Sequence, residues 1–590
     1  MHQSRRSPLE YGQIYKKPKL ERGKHGCCML NIVQAVDRVV PERYWAWASC
    51  IILAAIGFAL MLVHPWWLWP ALAFALLSVV GIIDYSQTRQ AIRRNYPVIA
   101  HFRFIFEFIR PEIRQYFIEA DTEELPFSRA QRSIVYQRAK HESDKRPFGT
   151  QLNVYESGYE WMNHSIAPVD IKSHDFRLTI GGPDCLLPYS ASVFNISAMS
   201  FGALSANAIM ALNEGAAQGN FFHDTGEGSI SQYHLRQTTG ANAGSGGGAI
   251  VWELGSGYFG CRAPDGGFDA AKFAENANSE QVKMIEIKLS QGAKPGHGGV
   301  LPGAKVTMEI AAARGVRMGE DCVSPAKHSA FSTPLELLGF VKKLRELSGG
   351  KPVGIKLAIG HPWELFAIVK AMLQTNITPD FIVVDGGEGG TGAAPLEFTD
   401  HVGAPLREGL MLVHNTLVGV GLRDRIKIGA SGKIVTAFDI ARIIAMGADF
   451  CNAARGFMFA LGCLQAQTCH TGNCPTGVTT QDPRRMRALV VPDKAERVFQ
   501  FHKNTLVALK ELLAAAGLHH PNELGPEHII RRVSATEVRS IAALHTWVPH
   551  GELLSSVPSH PVFKVFWEVS RADTFAAPPN VLNSLGSKER

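Results

Sequence analysis

The sequence is poor in cysteine and in charge for its length. Ten cysteines among 590 residues do not make a disulfide framework of the kind found in small secreted domains. Charged residues make up only 19% of the chain, and the basic ones concentrate near the N-terminus, between Arg5 and Arg43. Elsewhere no basic stripe is interleaved with aromatic residues, which argues against a nucleic-acid-binding protein. A close group of cysteines in such a chain indicates metal binding or catalysis instead.

Charge is absent altogether from two long runs near the N-terminus. Residues 44–63 and 66–83 are apolar, and 20 residues at about 1.5 Å each span the roughly 30 Å of a bilayer core. A signal peptide would begin earlier and carry a small-residue cleavage site, and a soluble core helix is rarely apolar on every face. We therefore predict a transmembrane helical hairpin over residues 44–84. Arginines flank its outer ends but not the HPWW connection, which predicts both termini, and the catalytic domain, on the cytoplasmic side.

After residue 186, short β-branched and apolar runs alternate with helical stretches. Eight of these runs are candidate strands: 193–200, 221–226, 284–290, 321–325, 352–358, 381–387, 425–432 and 449–454. Strands that alternate with helices favour a parallel sheet, and eight of them predict an α/β fold of the (β/α)8 TIM-barrel type. An open doubly wound sheet is the alternative. In a barrel, the functional site forms at the carboxyl ends of the strands.

These patterns predict five parts. They are a basic N-terminal segment (1–43), the hairpin (44–84), a helical linker (85–150), the barrel (151–515), and a C-terminal helical extension with a polar tail (516–590).

Glycine-rich loops follow two of the candidate strands. The loop DGGEGGTG contains Gly390 and Gly392 but does not complete a dinucleotide-binding fingerprint, so we interpret it as a close approach of backbone to a ligand. The loop GASGK, with Ser431 and Gly432, follows the seventh candidate strand, where barrels often bind phosphate. We predict a phosphate-bearing cofactor such as FMN across the barrel mouth. Ordinary tight turns are the alternative.

Two lysines, Lys294 and Lys356, lie near the ends of candidate strands. A cation beside a flavin stabilises the reduced, anionic ring, and a second cation can bind a substrate carboxylate. Both lysines would otherwise be ordinary surface residues.

Three cysteines, Cys463, Cys469 and Cys474, lie within the stretch CLQAQTCHTGNC. Structural zinc needs four ligands at shorter paired spacings, and His470 as the fourth would be strained beside Cys469. Three thiolates suit a three-iron cluster, and this loop follows the last candidate strand, close to the predicted flavin. Three buried free cysteines are the alternative.

The stretches GALSANA, TGEG, QGAKPGHGGVLPGAKV, DGGEGGTGAAPLEF, GASGK and GCLQAQTCHTGNCPTGVTTQDP together resemble the FMN-binding synthase domain of glutamate synthases, above all its short membrane-tethered members. The likeness covers residues 150–515. It implies a (β/α)8 barrel that holds FMN and a 3Fe-4S cluster and converts 2-oxoglutarate and ammonia, through 2-iminoglutarate, to L-glutamate.

The resemblance also implies roles for individual residues. Glu227, Gln291 and Lys294 would act on the substrate or contact it and the flavin, with Glu227 active in proton transfer as the imine forms. The cluster ligands would be Cys463, Cys469 and Cys474. The FMN site would comprise Ser200, Lys356, Gly390, Gly392, Ser431, Gly432 and Gly456.

Some features depart from the larger family members. No amidotransferase or pyridine-nucleotide domain is recognisable, so we expect a separate ammonia source and a separate electron donor, such as ferredoxin or a reductase. In the loop GHGGVLPG, His297 and Val300 replace an acid and an amide near the expected 2-oxoglutarate site. The alternative function is an FMN-dependent dehydrogenase of another amino or hydroxy acid that passes electrons to a membrane or protein acceptor. Such enzymes use a histidine–arginine pair at the active site, and the few candidates here, His361 and Arg423, do not form a familiar motif.

Overall fold

The computed structural model describes residues 40–120, 122, 125–235, 247–555 and 557–578. Most of the predicted basic segment 1–43 and the end of the predicted tail lie outside these residues. The chain divides into two compact units, one ending at Glu119 and the other beginning at Ala120. The predicted linker 85–150 is therefore shared between the two units.

The first unit is helical. Its helices are α1 (Trp45–Met61), α2 (Leu68–Ser86), α3 (Ala91–Asn95) and α4 (Ala100–Ile113). Helices α1 and α2 pack against each other, and the Trp47 ring stacks on Tyr85 while its indole N–H donates to the carbonyl of Ser78. With the short 3-10 turns before them, the two helices cover Glu42–Met61 and Pro65–Ser86, each long and apolar enough to cross a membrane.

The second unit is an α/β structure. Its strands are β1 (Glu160–Met162), β2 (Arg177–Ile180), β3 (Tyr189–Ser192), β4 (Phe194–Ile196), β5 (His223–Asp224), β6 (Ile250–Leu254), β7 (Val282–Lys288), β8 (Val300–Leu301), β9 (Cys322–Val323), β10 (Val353–Leu357), β11 (Phe381–Asp385), β12 (Lys427–Ser431), β13 (Phe450–Ala453), β14 (Ile529–Arg532) and β15 (Val538–Ser540).

The helices of this unit begin before the first strand and continue to the C-terminal part. They are α5 (Arg129–Ala139), α6 (Ala206–Gly219), α7 (Ala270–Ala277), α8 (Met308–Arg314), α9 (Pro334–Leu347), α10 (Pro362–Thr375), α11 (Leu396–His401), α12 (Leu406–Gly419), α13 (Ala437–Ala445), α14 (Arg455–Leu461), α15 (Pro483–Met486), α16 (Val491–Ala516), α17 (Ile541–Leu544), α18 (Glu552–Ser555) and α19 (Pro561–Phe566).

Eight parallel strands close into a barrel in the order β4, β5, β6, β7, β10, β11, β12 and β13. Local signals set its helices: Ser205 caps α6, and Thr333 and Thr436 begin α9 and α13 with capping boxes. The prediction of a (β/α)8 barrel is confirmed.

One predicted barrel strand was wrong, and one barrel strand was missed. The third barrel strand is β6, whose sequence IVWEL follows a glycine-rich stretch that hid it from the sequence analysis. Residues 321–325 are not in the barrel, because Cys322 and Val323 pair instead with β8 in a small antiparallel hairpin. The loop QGAKPGHGG therefore follows the fourth barrel strand rather than the third.

The C-terminal part packs on the barrel. Strand β14 pairs with both β1 and β15, so residues before and after the barrel share one antiparallel sheet. On β1, the Glu160 carboxylate pairs with Arg407 of α12 and Arg442 of α13. Burial raises the pKa of Glu160, but these guanidinium groups outweigh it and lower the pKa. Helices α18 and α19 pack on α12 and α10.

Candidate active site

The barrel interior has two layers that follow from the two-residue repeat of its strands. The layer near the amino ends of the strands is apolar and contains Phe222, Val251, Met284, Phe381, Val383 and Phe450. Two residues further along, strands β5, β6 and β7 place Asp224, Glu253 and Glu286 on the same inner face. The carboxyl-end half of the interior is therefore charged, beneath the mouth where a barrel site forms.

One lysine lies among these carboxylates. Nζ of Lys356 lies 2.7 Å from Oε2 of Glu253 and 3.7 Å from Oε1 of Glu286. In the part of the chain that the structure describes, Asp224, Glu253 and Glu286 are the one group of three candidate metal-ligand side chains with donor atoms within 4.8 Å of one another. Because Lys356 supplies the cation there, the group is an ionic cluster that needs no metal for charge balance.

Burial and mutual repulsion set the protonation of this cluster. Burial, together with the Glu253 carboxylate, raises the pKa of Asp224 to about 7. Burial and Asp224 raise the pKa of Glu286 well above its usual range. Burial lowers the pKa of Lys356, but Glu253 and Glu286 outweigh that effect and raise it. The barrel therefore holds Lys356 charged, while Asp224 and Glu286 retain protons to unusually high pH.

A second lysine connects the cluster to the mouth. Nζ of Lys288, at the end of β7, lies 2.7 Å from Oε2 of Glu227 and 3.5 Å from Oε1 of Glu253. Burial raises the pKa of Glu227, but the Lys288 ammonium outweighs it and holds the pKa at about 2. Glu227 is therefore an ionised carboxylate at neutral pH, which makes it a charge partner or proton acceptor rather than a proton donor.

These groups line a small cavity at the carboxyl ends of β5 and β7. Its wall includes Glu227, Lys288, Gln291, Lys294 and His297. The structure thus brings together all three predicted catalytic residues, Glu227, Gln291 and Lys294. Burial lowers the pKa of Lys294, whose Nζ lies 3.4 Å from the carbonyl of Gly298.

Lys288 is a residue of the cavity wall that the sequence pattern did not single out. It lies within the candidate strand MIEIKLS, where the sequence pattern indicates only a strand residue. The two-residue repeat of the strand indicates which way Lys288 points. Met284, Glu286 and Lys288 alternate with Ile285 and Ile287, which face outward. A charged residue at the end of an inward-facing row indicates a barrel site.

The two substituted positions of the GHGGVLPG loop lie in different surroundings. His297 is on the cavity wall, where its Nδ1 lies 2.7 Å from the carbonyl of Gly298 and its ring packs edge-on against Phe398. Val300 begins β8 and its side chain is half exposed.

Backbone packs against backbone above the barrel. A Cβ on Gly292 would lie 1.8 Å from the carbonyl oxygen of Gly386, so only glycine fits where the loop after β7 touches the loop after β11. The amide N–H of Gly292 also donates to Asp385, at the end of β11. This contact fixes the positions of two loops that border the mouth.

Arg455 lies against the glycine-rich loop after β11. Its guanidinium donates to the carbonyl of Thr391 at 2.9 Å and lies beside Gly390. A Cβ on Gly392 would meet nothing nearer than the Cβ of Cys469, at 3.9 Å. The glycine loop, Arg455 and the cysteine-rich loop therefore meet at one side of the barrel mouth.

The other predicted cofactor residues occupy four positions. Ser431 ends β12, with its hydroxyl 3.2 Å from that of Ser197 after β4. Ser200 lies against the loop of Gly226 and Gly228, and Gly432 directly follows Ser431. Gly456 has a packing role in α14, because the space of its missing Cβ is bounded by Phe501. Lys356 lies deeper, in the ionic cluster.

The cysteine-rich loop is held from two sides. The Tyr136 hydroxyl of α5 donates to the carbonyl of Cys463, and Lys305 donates to the carbonyl of His470. All three cysteines are free thiols. Burial raises the pKa of Cys463 to about 11, whereas at Cys474 hydrogen bonds, first that to Thr476, outweigh burial and lower the pKa to about 7.

The histidine–arginine pair of the alternative function is not assembled. His361 precedes α10 and stacks on Trp363, and Arg423 pairs with Asp449 before β13. Arg423 and Asp449 precede β12 and β13, at the amino ends of the strands, away from the mouth.

The closed barrel and the charged cavity at the carboxyl ends of its strands define a (β/α)8 enzyme. A family model described as the conserved region in glutamate synthase matches residues 188–519. The chain belongs to the glutamate synthase family, whose members are oxidoreductases that act on CH–NH2 groups.

Named relatives span different parts of this chain. The glutamate synthase large subunit-like protein YerD of Bacillus subtilis is 38% identical over 523 residues, which cover 82% of this chain and 96% of YerD. The archaeal glutamate synthase [NADPH] of Methanocaldococcus jannaschii is 36% identical over 58% of this chain and 62% of its own length. A solved flavocytochrome b2 double mutant with pyruvate bound has a TM-score of 0.39 at 14% identity, over 78% of this chain and 91% of that one.

Proposed function

We propose that this protein is an FMN-dependent glutamate synthase-like enzyme that reductively aminates 2-oxoglutarate to L-glutamate with ammonia generated outside this chain. The observation that carries the proposal is the cavity in which Glu227, Lys288, Gln291 and Lys294 meet at the carboxyl ends of the barrel strands. Two ammonium groups and an amide suit a dicarboxylate, and an ionised carboxylate beside them suits an ammonium or iminium ion.

The barrel mouth fits FMN. A side chain at Gly392 would enter open space, and Arg455 beside this loop is a cation suited to a phosphate. Oδ1 of Asn452, inward-facing on β13 next to Ser431, is buried without a hydrogen-bond partner among the described residues, so it is free to accept from a ligand. When bound, FMN would supply a hydride to the substrate carbon.

The chain's own residues would bind and orient the substrate. Lys294 and Gln291 would bind its carboxylates, and Glu227 would hold an ammonium ion beside the keto carbon. After this ion has lost a proton to water, the ammonia would add to the keto carbon, and the keto oxygen would leave as water. Because the pKa of Glu227 is held at about 2, its carboxylate would stay ionised and stabilise the positive charge on nitrogen as 2-iminoglutarate forms. Lys288 would keep Glu227 charged and the surrounding backbone would limit access of water to the imine.

The three cysteines fit an iron–sulfur cluster. Cys463, Cys469 and Cys474 would ligate a 3Fe-4S cluster, since thiolates are its usual ligands and the fourth corner needs none. The low pKa of Cys474 favours the thiolate form that metal binding requires. The loop's approach to Gly392 would put the cluster beside the proposed FMN site.

The hairpin would anchor the enzyme in a membrane. Its two apolar helices have the required length, and Arg43 on one side and Arg89, Arg93 and Arg94 on the other favour the cytoplasm for both ends. Electrons would come from a separate donor. One relative, 36% identical over 44% of this chain, is named ferredoxin-dependent glutamate synthase 2, of Synechocystis.

The proposal is tested by a single-turnover experiment with the detergent-purified, FMN-loaded protein. The flavin is reduced chemically under argon, and 2-oxoglutarate with ammonium chloride is then added. We expect the flavin to reoxidise with formation of one glutamate per reduced flavin. Absence of reoxidation with 2-oxoglutarate, together with reduction of the oxidised flavin by a hydroxy acid, would establish the alternative dehydrogenase.

A further inference from the structure

Helix α4 and the turn after it expose a broad apolar face. The helical repeat places large apolar side chains on one side of the sequence AHFRFIFEFIRPEI and of the following RQYFI. The exposed members of this side are Phe102 (58%), Ile105 (52%), Phe106 (62%), Ile113 (38%), Tyr116 (58%) and Phe117 (85%). A patch of this size on a single helix indicates a surface that another phase or molecule covers.

Most charged residues of α4 and of the turn after it form a separate strip, whereas Glu112 lies at the edge of the apolar side. At 100° per residue, Arg103, Glu107, Arg110 and Arg114 fall on one flank of the helix. Arg103 pairs with Glu107 at 3.0 Å and Arg114 pairs with Glu119 at 3.1 Å, which leaves the charge of Arg110 as the positive excess of this strip. An apolar face beside a basic flank is the pattern of helices that lie in the interface of a membrane with anionic lipids.

The start of α4 is tied to the end of the hairpin. Asp84, fully buried near the end of α2, accepts from Arg93, from the backbone N–H of Val98 at 3.0 Å and from the His101 ring at 2.9 Å. Asp84 is also where the apolar run stops. The link therefore holds the first turn of α4 at the level of the lipid headgroups, if α2 spans the bilayer.

We propose that α4 lies in the plane of the membrane interface, with Phe102, Ile105 and Phe106 among the acyl chains and its arginines toward anionic headgroups. This inference rests on the proposed membrane insertion of the hairpin, whose surface α4 continues. Interfacial helices bury their apolar face about 5–10 Å into the boundary between headgroups and acyl chains. The occupant of the apolar face is the same bilayer that holds the hairpin.

The experiment uses the full chain in vesicles of phosphatidylcholine and phosphatidylglycerol. An environment-sensitive fluorescent amino acid is introduced by codon suppression at one position at a time, which leaves the native cysteines untouched. The positions are Phe106 on the apolar face, Glu107 on the charged flank, and Leu53 in the middle of α1. Quenching is measured with lipids that carry a nitroxide either near the headgroup or near the bilayer centre.

We expect the probe at Phe106 to be quenched about twofold more by the shallow nitroxide than by the deep one, as an interfacial depth requires. The probe at Glu107, on the flank that faces the headgroups, should be quenched less than the probe at Phe106 by the shallow nitroxide and not at all by the deep one. Deep quenching at Leu53 with no lipid quenching at Phe106 would overturn the proposal for α4 and leave the spanning hairpin intact. Blue-shifted emission at Phe106 without lipid quenching would likewise overturn it, because protein would then cover this face. Absence of quenching at Leu53 would instead contradict the membrane insertion itself.

Discussion

The ammonium of Lys288 lies 2.7 Å from a carboxylate oxygen of Glu227, so the cavity wall carries an ion pair instead of a free acid. The same ammonium reaches Glu253, which in turn pairs with Lys356. A chain of alternating charges therefore runs from the barrel interior to the substrate cavity. Any change in one member alters the protonation of the others.

Replacement of Lys288 by Met should destabilise the protein by about 3 kcal/mol, because it leaves largely buried carboxylates without their cation. Glutamate formation should fall in parallel, since the pKa of Glu227 would rise toward its usual range. Thermal unfolding and the single-turnover assay measure the two effects. Lys288→Arg is the matched control and should retain most of the stability. Equal unfolding temperatures for Lys288→Met and the wild type would contradict the ion-pair assignment.

Stability should depend on pH through Asp224. Its pKa of about 7 in the folded protein lies above the ordinary value of 3.8, so the folded state holds a proton that the unfolded state releases. This contribution is complete below about pH 3.8 and is lost as the pH rises through about 7. Between about pH 5 and 8, the wild type should lose stability relative to Asp224→Asn, which cannot ionise. Scanning calorimetry measures the difference, and the exposed Asp400→Asn should run parallel to the wild type.

Gly292→Ala should disrupt the barrel mouth. The added methyl group would overlap the carbonyl oxygen of Gly386, so one of the two loops must move. We expect a loss of about 2–4 kcal/mol in unfolding free energy and weakened flavin binding. Gly339→Ala is the control: it lies on the exposed face of α9 with nothing near its missing Cβ, and it should stabilise by about 0.5–1 kcal/mol. Similar behaviour of the two variants would refute the close contact.

Arg455→Gln should weaken FMN binding. Loss of a charged hydrogen bond to a phosphate costs about 1.5–3 kcal/mol, which raises the dissociation constant about 10- to 150-fold. Fluorescence titration of the flavin into deflavinated protein measures it. Arg484→Gln, on the exposed surface of α15, should leave the constant unchanged. If both variants bind FMN as the wild type does, the phosphate does not lie beside Arg455.

Cys474→Ser should remove the iron–sulfur cluster. The purified wild type should contain about three irons with acid-labile sulfide, and the variant should lose most of both, because serine is a poor ligand for iron in such a site. Cys451→Ser is the control, since Cys451 is buried on β13 away from this loop. Iron retained in Cys474→Ser, or absent from the wild type, would show that these cysteines have another use.

The barrel strands could be predicted where the strand residues themselves are β-branched and apolar. Seven of the eight barrel strands stood out by composition, whereas β6 was missed because glycines flank it on the amino side. The composition of residues 321–325 indicates a strand. This strand pairs with β8 in a hairpin outside the barrel, and only the tertiary structure determines which strand is its partner.

The site was predictable in part for a different reason. Loop motifs identified Glu227, Gln291 and Lys294. The charged side chains of Glu253, Glu286 and Lys288 lie inside strands, where the sequence pattern indicates only strand residues. Their roles depend on which face of each strand points inward. Closure of the barrel determines which face of each strand points inward. In the linear sequence, the two faces appear only as a two-residue repeat.

The pairing of β1 with β14 has a consequence for how the chain is made. The partner of residue 162 lies at residue 529, so the ribosome must synthesise more than half of the sequence between the two. At about 5–20 residues per second, the first strand waits on the order of tens of seconds for its neighbour. The apolar hairpin emerges first. Under the proposed membrane anchoring, it could insert well before the last strand arrives, and the unfinished barrel would be the part that needs a chaperone.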